Sequence, residues 1–340
     1  MASDAKPLVL ITMGDPCGIG PEVVARALGH GEAYAVCRPV VVGSAAAMEG
    51  AVHLVGGGMF VIGIDRDRLG TAGQDPRVVE VLDPGNLRAE AITVGQVSPA
   101  CGRAAMEWVE LAAALLLERK AAALATAPVN KEAASLAGYR EVGHMELLQR
   151  LTAAPQVATM LMSGRLRVVH LTTHRSLRHA CDYVTRENVL AKLELTHRCF
   201  EAWGMPRPRI GVAALNPHAS DGGLLGDEEA AAIAPAVAAA REQGIDATGP
   251  VPADIVFYQA IQGRYDVVLA MYHDQGHIPI KVYGFERSVS VNLGLPLVRT
   301  SVDHGTAFDI AGKGVADATS MREAILVAAG LASGRGLPRE

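Results

Sequence analysis

The sequence predicts an α/β fold with a largely parallel sheet. Short apolar runs of strand length alternate with longer helical patterns along the chain, as in successive βαβ units. Half of the 340 residues are apolar and 20% are charged, which suits a sizeable buried core and argues against disorder. No repeat of fixed period stands out, which sets aside solenoids and propellers.

Residues 7–13 read as a first strand, followed by a glycine-rich turn and a helix over 21–28, with Pro21 suited to the first helical position. Residues 39–43 and 78–82 are further apolar runs. Residues 104–118 have helical length and a broad apolar face, and 121–127 return to a strand. Residues 157–162 and 166–172 read as adjacent strands around a Ser-Gly turn. Residues 187–203 form a helix closed by Gly204 and Pro206. A strand over 210–215, an Ala-rich helix over 227–243, a strand over 266–272 and a closing helix over 321–331 complete the pattern. No Ser/Pro-rich linker occurs, so chain crossings must knit any domains together.

Lys and Arg number 31 against 36 Asp and Glu, a net charge of −5. The cations are scattered, which argues against a nucleic-acid partner and leaves a few placed cations to hold any anionic ligand. The five cysteines are odd in number and lack C-x-x-C spacing, so neither a disulfide framework nor a cysteine zinc site is expected. A reducing cytoplasm is the expected setting. The longest apolar stretch, 112–129, is cut by Glu118, Arg119 and Lys120. Its pieces fall short of the roughly 20 residues a membrane span needs.

Open α/β sheets bind ligands at the carboxyl ends of their strands. Three histidines are placed there: His174 after R-V-V-H-L-T-T, His218 in A-L-N-P-H-A and His273 in M-Y-H-D-Q-G. Three imidazoles around a cation, with one position open, make a catalytic type of metal site. His170 is expected in the core or behind the site. His277 reads as a turn residue beside Gly276 and Pro279, and His30, His53, His179 and His197 as surface.

Two glycine-rich segments follow strands. Residues 13–22 lack the G-x-G-x-x-G dinucleotide fingerprint, although Gly18 and Gly20 permit a tight turn. In residues 303–314, Gly305, Gly312 and Gly314 allow close backbone approach to a flat ligand. Thr306 and Asp309 offer a hydroxyl and a carboxylate to a ribose.

G-D-P-x-G-I-G-P-E, L-N-P-H-A, G-P-V-P-A-D, Y-H-D-Q-G and S-V-D-H-G-T-A, in that order, resemble the 4-hydroxythreonine-4-phosphate dehydrogenase family over residues 11–317. The segments at 13–22 and 304–314 also resemble the wider isopropylmalate and isocitrate dehydrogenase fold. The resemblance implies a two-lobed α/β subunit with parallel-rich sheets and a cleft between lobes. Residues 1–140 and 295–340 would form one lobe, and 141–294 a second lobe with metal ligands and dimer contacts. It also implies a homodimer with shared active sites and a role in pyridoxine biosynthesis. His174, His218 and His273 match the ligands of one divalent cation per site. Three imidazoles suit zinc, cobalt or nickel, and the resemblance admits magnesium or manganese. His144, Lys281 and Arg299 match substrate-binding residues. His304, Gly305, Thr306, Ala307 and Asp309 match the region that takes the adenosine half of NAD or NADP; Asp309 beside a ribose would favour NAD.

The sequence departs from the family pattern in places. Met145 stands where a Thr is usual, and Ser290 stands where a substrate-contacting Asn is usual, with Asn292 as a further candidate. The segment from His277 to Lys281 is closer to a branch that resembles 4-phospho-D-threonate and 4-phospho-D-erythronate dehydrogenases. The implied reaction is oxidation of a secondary alcohol β to a carboxylate, followed by loss of carbon dioxide. Asp254 and Asp274 are the candidate general bases; Asp254 could equally cap a helix, and Asp274 could orient His273. A metal-dependent lyase or hydrolase, or a phosphate acyltransferase of similar fold, are the competing classes.

Overall fold

The computed structural model describes residues 6–141 and 143–338. In chain order the elements begin with β1 (Leu8–Thr12), α1 (Gly20–Gly29), α2 (Glu32–Val36), β2 (Arg38–Val42), α3 (Ala45–Val55), β3 (Phe60–Ile64) and β4 (Val78–Leu82). Next come α4 (Pro99–Leu117), β5 (Ala123–Thr126), α5 (Lys131–Leu136) and α6 (His144–Thr152). The middle of the chain holds β6 (Ala158–Ser163), β7 (Leu166–His170), α7 (Leu177–Asp182), α8 (Arg186–Ala202), β8 (Ile210–Ala213), α9 (Ala234–Glu242) and β9 (Ala247–Val251). The last are α10 (Ala253–Ile261), β10 (Val267–Ala270), α11 (His273–Gly284), β11 (Val289–Leu293), β12 (Val298–Val302) and α12 (Thr319–Ala332).

The chain folds as two compact units, Met1–Pro155 with Leu295–Arg335, and Gln156–Gly294 with Gly336–Glu340. In the first unit the strand order is β3-β4-β2-β1-β5-β12, with every pairing parallel. All five residues of β1 are buried, as expected of a parallel strand covered on both faces. Ser98 caps α4, its hydroxyl accepting from the Cys101 amide, and Pro99 occupies the first turn. That start is five residues earlier than the apolar pattern at 104 suggests.

The second unit orders its strands β11-β6-β7-β10-β8-β9, and here β6 runs antiparallel to both neighbours. Strands β7, β10, β8 and β9 pair in parallel. The Ala-rich helix opens with a π turn, Glu229–Ile233, before α9. Strands β11 and β12 escape the apolar pattern because Ser290, Asn292, Arg299, Thr300 and Ser301 interrupt it.

Several expectations are corrected. His277 is helical and not in a turn, because α11 runs through Pro279. Proline there forfeits one helical hydrogen bond, which burial of Gln275, Gly276 and Ile280 offsets. Strand β7 stops at His170, so His170 and His174 do not share a strand. Asp254 does not cap α10: the cap position is Pro252, and Asp254 lies in the first turn. His197 is half-buried on α8, four residues before Glu201, rather than free on the surface.

Candidate active site

In the first unit, three elements bring charged and polar groups together out of water. Arg299 lies on β12 in register with Leu124 of β5, and only 4% of it is exposed. Its Nε and Nη2 donate to the Thr126 hydroxyl at 3.2 and 2.6 Å. Burial pushes the guanidinium down to about 9, with Glu146 opposing. His144 opens α6 with Gly143 at the cap position, and it too is buried. Burial, and then the charges of Arg299 and Lys131, hold its imidazole well below the ordinary histidine range. Its Nε2 has no hydrogen-bond partner among the described residues. A buried cation beside a neutral imidazole with an unused nitrogen is costly without a ligand and suited to an anionic one. Met145, next on α6, is half-buried.

In the second unit, four histidine rings form a row. His170, at the end of β7, has its ring 4.6 Å from that of His277, and His277 stacks on His273 at 3.5 Å. His273 in turn lies 5.9 Å from His174. His170 is buried, and burial lowers it to about 3, so it is neutral. Gly276 admits this packing: a Cβ there would meet His170 Nε2 at 2.3 Å. Asp274 Oδ1 lies 2.6 Å from His273 Nδ1, a contact that orients the ring. Gln275 ties the turn down, accepting from the Met271 amide and donating to the Ala214 carbonyl, both at 2.7 Å. A cavity of about 350 Å³ beside the row is lined by Thr173, His174, Tyr272, His273 and Asp274.

His218 is carried by a different device. After β8, residues 218–222 all have positive φ, four of them not glycine. Such a run costs backbone energy and persists only where its surroundings impose it. Glu229 supplies part of that hold. Its carboxylate accepts from the amides of Leu215 and Asn216 at 2.8 and 2.7 Å. Burial opposes ionisation, but these hydrogen bonds keep Glu229 below the usual carboxylate range. Among the described residues no three His, Cys, Asp or Glu side chains gather closely enough to hold a metal. Of the three candidate ligands, the rings of His174 and His273 are the two that face each other, at 5.9 Å.

The remaining candidates in the second unit are spread over α10, α11 and β11. Lys281 is on α11 with its ammonium 4.7 Å over the Phe285 ring. Ser290 and Asn292 are two residues apart on β11, so both face the same side of the sheet. Asn292 is buried and Ser290 half-buried. Asp254 is exposed on α10.

The two glycine-rich segments meet within the first unit. The Ile19 amide donates to the Thr306 carbonyl at 3.0 Å, and a Cβ on Gly18 would collide with Thr306. Thr306 is thus buried as a packing residue, whereas Gly305 and Asp309 are exposed. Ala307 adopts φ +41°, and His304 Nδ1 contacts the Gly305 carbonyl. Beside them is a largely apolar cleft of about 440 Å³ whose walls include Pro16, Gly18, Leu54, Ile92, Val94 and Gly312. Asp15, in the same turn, is fully buried with one oxygen lacking a partner among the described residues. Burial raises it to about 6. The sequence pattern did not single out Asp15, Thr126, Gln275 or Glu229; each acts through contacts between segments distant in the chain.

Residues 35–328 match the family model described as the pyridoxal phosphate biosynthetic protein PdxA. The chain is 47% identical to a 4-hydroxythreonine-4-phosphate dehydrogenase of Geobacter metallireducens, covering 98% of this chain and 99% of that protein. It is 45% identical to a D-threonate 4-phosphate dehydrogenase of Cupriavidus necator, again over 98% and 99%. A crystal structure of 4-hydroxythreonine-4-phosphate dehydrogenase from Klebsiella pneumoniae superimposes with a TM-score of 0.89 at 43% identity, covering 97% of this chain and 100% of that one. No helix among the described residues is long and apolar enough to cross a membrane. The parallel α/β architecture, the buried arginine–histidine corner and these full-length similarities agree: the chain belongs to the PdxA family and is a nicotinamide-dependent dehydrogenase acting on a hydroxyl group.

Proposed function

We propose that this dehydrogenase oxidises the secondary alcohol β to the carboxylate of a phosphorylated four-carbon hydroxy acid, with loss of carbon dioxide following. The observation that carries this reading is the corner of Arg299 and His144. A fully buried guanidinium next to an imidazole nitrogen without a partner suits a phosphate or carboxylate. The proposal places Ser290, Asn292 and Lys281 around the rest of the substrate, and leaves Asp254 or Asp274 to take the alcohol proton. The adenosine half of NAD is assigned to the cleft beside residues 304–314, with Asp309 toward the ribose; its carboxylate would repel a 2′-phosphate. The nicotinamide accepts the hydride.

His174, His218 and His273 are proposed to hold one divalent cation. The close pairing of His174 with His273, and the fixing of His273 Nδ1 by Asp274, fit two ligands of such a site. A zinc, cobalt, magnesium or manganese ion there would polarise the alcohol and carboxylate oxygens. A homodimer would complete it. In support, the second unit exposes Tyr258 on α10, Ile278 and Val282 on α11 and Phe285 just after it, and such apolar surface suits a contact between copies.

Met145 offers no hydroxyl and Ser290 no amide, so the site is proposed to prefer a phosphothreonate or phosphoerythronate over 4-phosphohydroxythreonine. The test is kcat/KM for the three compounds with and without a chelator. The expected result is a preference for the hydroxy acids, loss of turnover on chelation, and a shift toward the amino acid in Met145→Thr. Sites built around a substrate's polar group discriminate by up to about 10⁴-fold. A clear preference for 4-phosphohydroxythreonine, or full turnover without metal, would overturn the corresponding assignment.

A further inference from the structure

Two thiols outside the proposed chemistry face each other in the first unit. Cys17 lies in the turn between β1 and α1, and Cys101 in the first turn of α4. Their sulfurs are 3.4 Å apart, with Cys17 Sγ donating toward Cys101 Sγ, and 84 residues separate them in sequence. Both side chains are buried and both are free thiols. We propose that Cys17 and Cys101 are a peroxide-sensitive thiol pair, closing reversibly to a disulfide that reshapes the cleft beside the Cys17 turn.

The geometry supports each part. Forming the bond would close the sulfur–sulfur gap from 3.4 Å to about 2.05 Å. Both thiols are shielded from solvent, in part by the largely exposed segment 83–98, whose Ala91 carbonyl accepts from Cys101 Sγ at 3.5 Å. Cys101 is assigned as the first nucleophile from the geometry: Cys17 Sγ donates toward Cys101 Sγ, a contact that favours the Cys101 thiolate against burial and the nearby Asp15. The Cys101 thiolate attacks one peroxide oxygen, the O–O bond breaks, and hydroxide leaves with the thiol proton as water, forming a sulfenic acid. Cys17 sulfur then attacks Cys101 sulfur, the S–O bond breaks, and the Cys17 proton leaves with that oxygen as water. Two thiols and one hydrogen peroxide become one disulfide and two waters.

The consequence follows from what holds Cys17. Its neighbours Pro16 and Gly18 form part of the cleft wall, as do Ile92 and Val94. The Cys17 carbonyl accepts from the Gly95 amide at 2.8 Å, so the two walls are joined at this residue. A backbone shift of Cys17 toward α4 would act on both walls through this junction. The effect on NAD rests on the proposed placement of adenosine in this cleft; the disulfide itself does not.

The test treats the full-length protein with hydrogen peroxide, blocks the remaining thiols, and maps the peptides without reduction. A Cys17–Cys101 linked peptide, reversed by dithiothreitol and absent in Cys101→Ser, is expected. In parallel, NAD affinity is measured before and after oxidation, and should weaken on the order of 10-fold in wild type. Cys101→Ser should keep its activity and its affinity through the same treatment. Cys17→Ala serves as the second variant if Cys101→Ser folds poorly. Both thiols remaining open to alkylation after peroxide, or linkage to Cys37, Cys181 or Cys199 instead, would overturn the pair. A disulfide that leaves NAD affinity within about twofold would overturn the effect on the cleft. Failure of the reduced protein to bind NAD would count against the adenosine placement, with the peptide map still deciding the thiol pair.

Discussion

Arg299 and His144 lie inside the first unit, held by strand β12 and the start of α6, whereas His174, His218 and His273 lie on a loop, a strained turn and a helix start of the second. The first group is desolvated before any ligand arrives, and burial has shifted both of its titratable members. The second group is half-buried or exposed, apart from His170 behind it. Charge buried in advance gives a strong, rigid grip on an anion at a cost in stability. Imidazoles left open at a surface cost the fold little, and on the proposed reading they would need a further component to complete a metal site.

The largest expected effect breaks the first region. Arg299→Met should lower kcat/KM on a phosphorylated substrate by at least about 100-fold, since a buried charge pair is worth roughly 2–5 kcal/mol to binding. The same variant should melt at a higher temperature without ligand, because replacing a buried charge by a packed apolar side chain is often stabilising by about 1–4 kcal/mol. A less stable variant with normal kinetics would mean that Arg299 serves the fold alone.

Complementation sharpens the contrast. Mixed dimers of Arg299→Met with His144→Ala should stay inactive, because both residues come from one unit of one chain. Among the three pairwise mixtures of His174→Ala, His218→Ala and His273→Ala, at least one should recover about half of its sites, as expected when a symmetric pair shares ligands. Inactivity of all three in verified mixed dimers would rule out a shared metal site.

The smallest effect concerns Asp15, another desolvated group of the first unit. Its folded value of about 6 lies above the ordinary 3.8. As pH rises from about 4 to 6, the unfolded chain loses this proton first, so stability falls across that window and levels off above it. A difference of that size is worth up to about 3 kcal/mol. Asp15→Asn should flatten this part of the curve in urea unfolding at stepped pH; an unchanged slope would show that Asp15 ionises normally.

Much of this was legible in the chain. The strand run at 78–82, the run at 210–215 that contains β8, and the helix over α8 were readable because apolar runs and periods are local features. Arg299 and His144 were singled out by the family resemblance, as matches to its substrate-binding residues. Strand β12 was hidden because its buried residues are Arg, Thr and Ser, whose partners Thr126 and Ala324 lie far away in sequence. Helix α11 was hidden because Gly276 and Pro279 ordinarily end a helix, and only packing against His170 shows why the glycine is needed.

The sequence by itself determined the α/β alternation, the order of the binding segments and the types of group each carries, since those depend on local pattern and on short motifs. The tertiary structure alone decided which of those groups meet. It set His174 beside His273, buried the Arg299 guanidinium against Thr126, and brought Cys17 within 3.4 Å of Cys101. Those outcomes depend on strand order and crossover packing, and they join residues separated by as many as 173 positions. Desolvation sets the charge state of a side chain, and it is created only when distant segments close over the group.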